Sequence, residues 1–458
     1  IYTTLCFFSQ ASESPLPQPP RPPETARLLA DLYRVATAAV DPGPALRRRL
    51  EAGGHPARPP RVLALGKAAL PMARAAVEAL AAWDLEPSGG VVVAPADGPS
   101  PHRRLPIVVG DHPEPGTGSL AAAEAVASAT RGLGEDDEVW VLLSGGTTSL
   151  IGAPEPGLTP ADLATIYGDL LGSGLDIAAM NRIRKRFARW GGGKLARALA
   201  PARVRVYVVS DVIGDDLAAI GSGPCVPDPA TAGEIRAELE VTHLWERLPE
   251  AARRLLLAVE AGEMPETPKP GHRTFARVTH ELIASNRLAL EAAAYRAAEL
   301  GLTPRIAETP LAGEASVVGA ELAATLVQDC DRREVPQPKS GAGRHCFIWG
   351  GETTVTLGPS PGLGGRCQEL ALAAARELAG RGGPVLLAAG TDGRDGPTDA
   401  AGAIVDGETW AAIAGAGRDP ARDLAGHDAY AALDAAGVLL RPGLTGTNVM
   451  DIVIGVSE

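Results

Sequence analysis

Short apolar runs along this chain stop repeatedly in loops of Gly, Ser, Thr and Asp, with helix-like stretches between them. Val62–Leu65 runs into Gly66-Lys67, Val139–Leu143 into the loop Ser144–Ser149, and Val204–Val209 into Ser210–Asp216. Cys346–Trp349 runs into Gly350–Thr354, and Val385–Ala389 into Gly390–Asp395. A sixth, Gly358–Gly365, follows an expected strand at 354–357 and leads through Arg366 into a helix over Gln368–Arg381. Strands alternating with helices predict a mainly parallel, doubly wound sheet. In such sheets ligands sit beyond the carboxyl ends of the strands, where these loops would gather.

The chain has 458 residues, which is long for one core and predicts two α/β domains. Residues 25–261 are expected to form the first, with a Rossmann-like sheet, and 272–458 the second, the Pro-rich stretch 262–271 linking them. Residues 1–24 hold a short apolar run without a basic flank and then a cluster of prolines. They read as a disordered lead rather than a signal peptide. A helix is expected over Arg27–Val40, ended by Asp41-Pro42-Gly43, and neighbouring strands at 346–349 and 353–357. No apolar stretch approaches membrane-spanning length, and a net charge of −12 argues against a nucleic-acid partner. The five cysteines are scattered, without metal-type spacing, which points to a reducing cytoplasm.

Backbone N–H groups of Gly-rich loops cradle phosphate, and carboxylates in such loops hold the accompanying metal. The loops therefore imply an enzyme acting on a phosphorylated ligand. Only five of the 43 basic residues are lysines, so Lys67, set between Gly66 and a helix start, stands out as an anion-binding point charge. Arg366, after Gly364-Gly365, can take a carboxylate or phosphate through two parallel hydrogen bonds. Asp211 and Asp392 are the carboxylates expected nearest a metal or a substrate hydroxyl, with Asp216 and Asp399 left to turns and caps. Glu352 could serve similarly or bind loop amides. The Ser144–Ser149 loop, with Gly145 and Gly146, suits polyphosphate or carboxylate but is not a Walker A sequence. Ser222, within Gly221-Ser222-Gly223-Pro224, marks another close-approach loop. His112 is the one histidine expected near a cleft.

The strings LALGKAA (63–69), LLSGGTTSL (142–150), VSDVIGDDLAAIGSGPCVPDPAT (209–231), GGETTVTLGPSPGLGGRCQELALA (350–373), GTDGRDGPTDAAGA (390–403) and GTNVMDI (446–452) resemble, in order, the class II glycerate 2-kinases, also described as MOFRL or hydroxypyruvate reductase-like proteins. The resemblance implies two α/β domains with an active site in the cleft between them. It also implies phosphorylation of D-glycerate at its 2-hydroxyl, using ATP and Mg²⁺. It places the active-site lysine and arginine at Lys67 and Arg366; Asp211, read from its loop, is expected beside them as metal ligand or base. Ser144, Gly145, Gly146, Ser149, Ser222, Glu352, Thr353, Gly365 and Asp392 become substrate or nucleotide contacts. Neither nucleic acid nor membrane is implied as a partner, and a homodimer is admitted. The chain departs from the family's pattern at Arg186 (His), Gly191 (Lys), Thr147–Ser149 (Gly-Ser-Ala), Cys225 (Thr), Cys367 (Asn) and Met450 (Asn). Lys194 or Arg189 would then supply the missing positive charge. The alternatives are a nicotinamide-dependent hydroxypyruvate reductase, which lacks its GxGxxG signature here, and a kinase relative that binds nucleotide or a sugar acid without turnover.

Overall fold

The structure is a computed structural model and describes residues 24–334 and 344–457. The expected N-terminal lead and most of the loop at 335–344 lie outside those residues. Twelve strands form two six-stranded sheets among the described residues. The first contains β1 (Arg61–Leu65), β2 (Gly89–Ala94), β3 (Ile107–Val109), β4 (Glu138–Leu143), β5 (Arg203–Val209) and β6 (Val278–Ala284). Its order is β3-β2-β1-β4-β5-β6 and every pairing is parallel, as the alternation predicts. Both faces of a parallel sheet are covered, so its strands read as continuous apolar runs. Leu63, Val141 and Val206 pack into one face cluster, while Val62, Leu142 and Tyr207 pack into the other.

The second sheet holds β7 (Thr303–Ile306), β8 (His345–Gly351), β9 (Val385–Gly390), β10 (Gly402–Asp406), β11 (Leu439–Leu440) and β12 (Asp451–Ser457). Its order is β11-β10-β9-β12-β8-β7, and it is mixed. The β7–β8 pair is parallel, whereas β12 inserts antiparallel between β8 and β9. That insertion fixes a feature of the site. The first residue of β12, Asp451, lies opposite Gly351 and Gly390, the last residues of its two neighbours. A carboxylate is thereby set at the same sheet edge as the loops after β8 and β9.

Four expectations are corrected. The strand β6 follows the Pro-rich stretch 262–271 and still pairs with β5, so that stretch does not divide the two sheets. The helix Glu24–Ala39 packs on the helix Asn286–Glu299 and against β9 and β12, so the described chain begins on the second sheet's side and then crosses to the first. One apolar cluster accordingly joins Leu29, Val62 and Trp140 to Ile348, Leu387 and Ile454. No strand forms at 353–357; beyond β8 only an isolated bridge, Glu314 to Thr354, continues the pairing. Asp41 does not merely end a helix. Its carboxylate accepts from Gly43 N at 3.1 Å and opens a further helix, Pro42–Gly53.

Candidate active site

The loops after β1 and β4 are locked together by small residues. Gly66 has φ +120°, and a Cβ there would lie 2.2 Å from the Ser144 hydroxyl. That hydroxyl accepts from Ala68 N at 3.0 Å, and Lys67 N donates to Gly145 O at 2.9 Å. The Lys67 side chain is left exposed, without an ion pair among the described residues. Its stem and the His112 ring border Gly146, at 3.2 and 3.1 Å from where a Cβ would stand. At Gly145 a Cβ would lie 1.8 Å from an Asp211 carboxylate oxygen. Lys67, His112 and Asp211 thus surround one pair of glycines. The N–H groups of Gly145, Gly146, Thr147 and Thr148 donate to no protein acceptor among the described residues, leaving four amides for an anion.

Burial raises the Asp211 carboxyl above its ordinary range, against the pull of its own backbone N–H and of Lys67, and Glu352 pushes the same way as burial. His112 is held below its ordinary value by burial and then by Lys67, which favours the neutral ring.

The second sheet supplies the opposite wall. Gly365 caps the helix Arg366–Leu378, and a Cβ on it would lie 2.3 Å from the Asp395 carboxyl carbon. The Arg366 guanidinium donates to both Asp451 oxygens, at 2.5 and 2.9 Å, and reaches Glu352 at 2.6 Å. Asp451 is 5% exposed in its side chain and Arg366 36%, so the arginine is anchored from beneath by a buried carboxylate and covered only by the exposed Glu352. A cavity of about 540 Å³ opens beside it, bordered by Thr353, Arg366, Asp395 and His427. Glu352 is the joint between the two walls, because its charge acts on Asp211 as well as on Asp451 and Arg366. The structure therefore groups Lys67, Gly145, Gly146 and Asp211 on one wall and Glu352, Gly365 and Arg366 on the other, with the Glu352 charge acting on both.

The three predicted serine contacts have other duties. Ser144 ties two loops together, Ser149 donates to Pro113 O at 2.6 Å, and Ser222 shares a 2.9 Å hydrogen bond with Thr148. They shape the anion loop, and its free amides are the groups left for a ligand. Asp392 accepts from Arg394 N at 3.0 Å, which is turn chemistry, and its charge is felt at Tyr33. Thr353 is buried on the wall of the cavity beside Arg366. Neither Lys194 nor Arg189 supplies charge to the crevice: Lys194 is buried against Glu155 at 2.5 Å, and Arg189 pairs with Glu124. Arg186 is likewise paired, with Asp228 at 3.3 Å and with Glu266. The Cys367 thiol is fully buried against Asp451, beneath the arginine rather than facing the cavity. Met450 sits at φ +69°, a left-handed position that suits the family's Asn.

Sequence reasoning assigned no role to Asp451. The signal was present: a carboxylate stands first in the otherwise apolar run Ile452–Val456. Among the described residues no three His, Cys, Asp or Glu side chains gather into a metal cage. Mg²⁺ commonly takes one or two carboxylates, with phosphate oxygens and water for the rest. Asp211, without a cation partner and beside free amides, fits a Mg²⁺ that arrives with a nucleotide.

Asp395 gives a pH signature. Its carboxylate caps the arginine helix, accepting from Gln368 N at 2.8 Å, and burial pushes its pKa from 3.8 to about 7. Between those values the folded chain holds a proton that the unfolded chain has released, so stability falls as pH rises through the window and levels off above it. The effect is at most about 4 kcal/mol. Thermal melts of wild type and Asp395→Asn from pH 4 to 8 should show the variant gaining relative stability with rising pH; a constant difference would contradict the buried charge.

Residues 28–257 match the model of a domain of unknown function, DUF4147, and residues 345–451 match the MOFRL family. A glycerate 2-kinase of Pyrococcus horikoshii is 38% identical over 395 residues, 86% of each chain. A protein of Agrobacterium vitis with the provisional name hydroxypyruvate reductase is 38% identical over 432 residues, 93% of each chain. The crystal structure of a glycerate kinase from Thermotoga maritima superposes with a TM-score of 0.85 at 35% identity, covering 95% of this chain and 100% of that one. Its two-part DUF4147 and MOFRL sequence, its two sheets and these relatives make the chain a member of the glycerate kinase family.

Proposed function

We propose that this chain catalyses transfer of the γ-phosphoryl group of ATP to the 2-hydroxyl of D-glycerate, giving 2-phosphoglycerate and ADP. Glycerate 2-kinase activity rests on family membership and on the identity to curated kinases over most of the chain. The roles of individual residues rest on the crevice. The observation that carries them is the pair of walls, with Lys67 and Asp211 around Gly145-Gly146 and Arg366 held by Asp451 and Glu352.

In the reaction the 2-hydroxyl oxygen bonds to the γ-phosphorus, the bond to the β,γ-bridging oxygen breaks, and the hydroxyl proton leaves. Asp211, with its carboxyl pKa raised by burial, is a stronger base than an ordinary carboxylate and suits that proton. The Arg366 plane, held rigidly by Asp451, would exchange its contact with the exposed Glu352 for charge that grows on the transferring group or for the glycerate carboxylate. Lys67 and the loop amides at 145–148 oppose it from the first sheet. Bound Mg²⁺ would neutralise phosphate charge; Asp211 as its protein ligand is the alternative to Asp211 as the base. Phosphorus NMR of the product from ATP, Mg²⁺ and D-glycerate should show 2-phosphoglycerate. A 3-phosphate, or NADH oxidation with hydroxypyruvate and no phosphoryl transfer, would contradict the assignment.

A further inference from the structure

A second cavity, of about 500 Å³, adjoins the anion loop at Thr148 and Ser149 and shares no lining residue with the cavity beside Arg366. Its volume lies in the range of roughly 300–1,000 Å³ usual for small-molecule sites. Thr148 and Ser149 form one edge, and Pro115, Leu120, Pro154 and Leu163 give it apolar walls. Arg184, from the helix Ile177–Phe187, stands on the same wall. Its guanidinium lies 5.0 Å above the Tyr167 ring, a stacked position that fixes its orientation.

What sets Arg184 apart is the lack of a counter-charge. Its neighbours in sequence, Arg182 and Arg186, each hold a carboxylate. Among the described residues Arg184 has neither a carboxylate nor a hydrogen-bond acceptor for its side chain, and its Nε is buried without a partner. The Tyr167 hydroxyl beneath it is also buried and unpartnered. Half-buried guanidinium groups ordinarily find an anion, because an unsatisfied buried charge is costly. Here the open acceptor position shares a cavity with Thr148, whose amide is one of the unused ones, on the edge of an apolar hollow. A ligand with a flat apolar body and an anionic tail meets all three conditions.

We infer that this cavity seats the nucleoside of the phosphoryl donor, with the Arg184 guanidinium on its phosphate chain and the chain crossing the amides of 145–148 toward Lys67. The inference rests on the kinase reading and adds the donor's position to it. Glycerate is left to the Arg366 side of the crevice.

Calorimetry with ATP and Mg²⁺, and separately with adenosine, on wild type, Arg184→Gln and Ala164→Trp tests the assignment. Ala164 is an exposed residue on the cavity rim, so tryptophan there fills the hollow without entering the core. Arg184→Gln should weaken ATP binding about tenfold or more while leaving adenosine, which has no phosphate, within about twofold. Ala164→Trp should weaken both. The KM for D-glycerate should stay within about twofold in each variant, and melting curves should match wild type. Unchanged ATP affinity in both variants, or a loss falling on D-glycerate instead, would overturn the inference and move the donor to the cavity beside Arg366. Failure of the kinase reading looks different: wild type would bind ATP with the predicted variant pattern yet form no phosphoglycerate.

Discussion

Arg366→Ala is expected to lower kcat by about 10²–10³-fold, the usual cost of losing a donor that stabilises transition-state charge. Two effects act together. The part-exposed guanidinium is lost to the substrate, and Asp451, almost wholly buried, loses the partner on which both its oxygens rely. Removing one member of a buried pair costs about 3–5 kcal/mol, so alanine alone would confuse chemistry with folding. Arg366→Lys separates them. An ammonium can still face Asp451, so the melting temperature should remain near wild type, but it cannot reproduce two parallel hydrogen bonds. Steady-state kinetics should then show most of the kcat loss in the lysine variant. Wild-type turnover in it would assign Arg366 to holding the fold.

Gly145→Ala is expected to abolish most activity without unfolding the chain. The added methyl carbon would fall 1.8 Å from an Asp211 oxygen, a separation no pair of atoms tolerates. The atom it meets is the end of a side chain, so the carboxylate can swing away and the backbone need not move. Gly145 is not among the residues with positive φ, and alanine adds no backbone strain there. Displacing a reacting group by about 1 Å can cost about 10²-fold. The kcat/KM of Gly145→Ala should therefore resemble that of Asp211→Asn, with melting curves close to wild type. Full activity in the alanine variant would show that the Asp211 position does not matter to the reaction.

The first sheet was legible because a parallel sheet buried on both faces writes each strand as an apolar run ending in a glycine-rich loop. The second was less so. Its central strand β12 comes last in the chain and pairs antiparallel with two strands far from it in sequence, which no local pattern announces. Where helices belong was also hidden: the helix Glu24–Ala39 is amphipathic like any other, and only tertiary packing sends it to the distant sheet. The same asymmetry holds at the site. Lys67, Arg366 and Asp211 stand in loops whose composition is conspicuous. The serines were over-read, because a hydroxyl in a tight loop looks alike whether it faces a ligand or a neighbouring carbonyl. Asp451 was overlooked because its importance comes from strand order, and Arg184 because an unpaired guanidinium is recognised only once its neighbours are placed.

A double-mutant cycle on kcat/KM for D-glycerate, built from Lys67→Met and Arg366→Ala, tests whether the two walls act on one reacting group. If both cations bear on the same phosphoryl transfer, the double variant should depart from additivity by at least about 1 kcal/mol. Losses that sum to within about 0.5 kcal/mol would mean that Lys67 and Arg366 act independently, and the shared crevice would not be the active site.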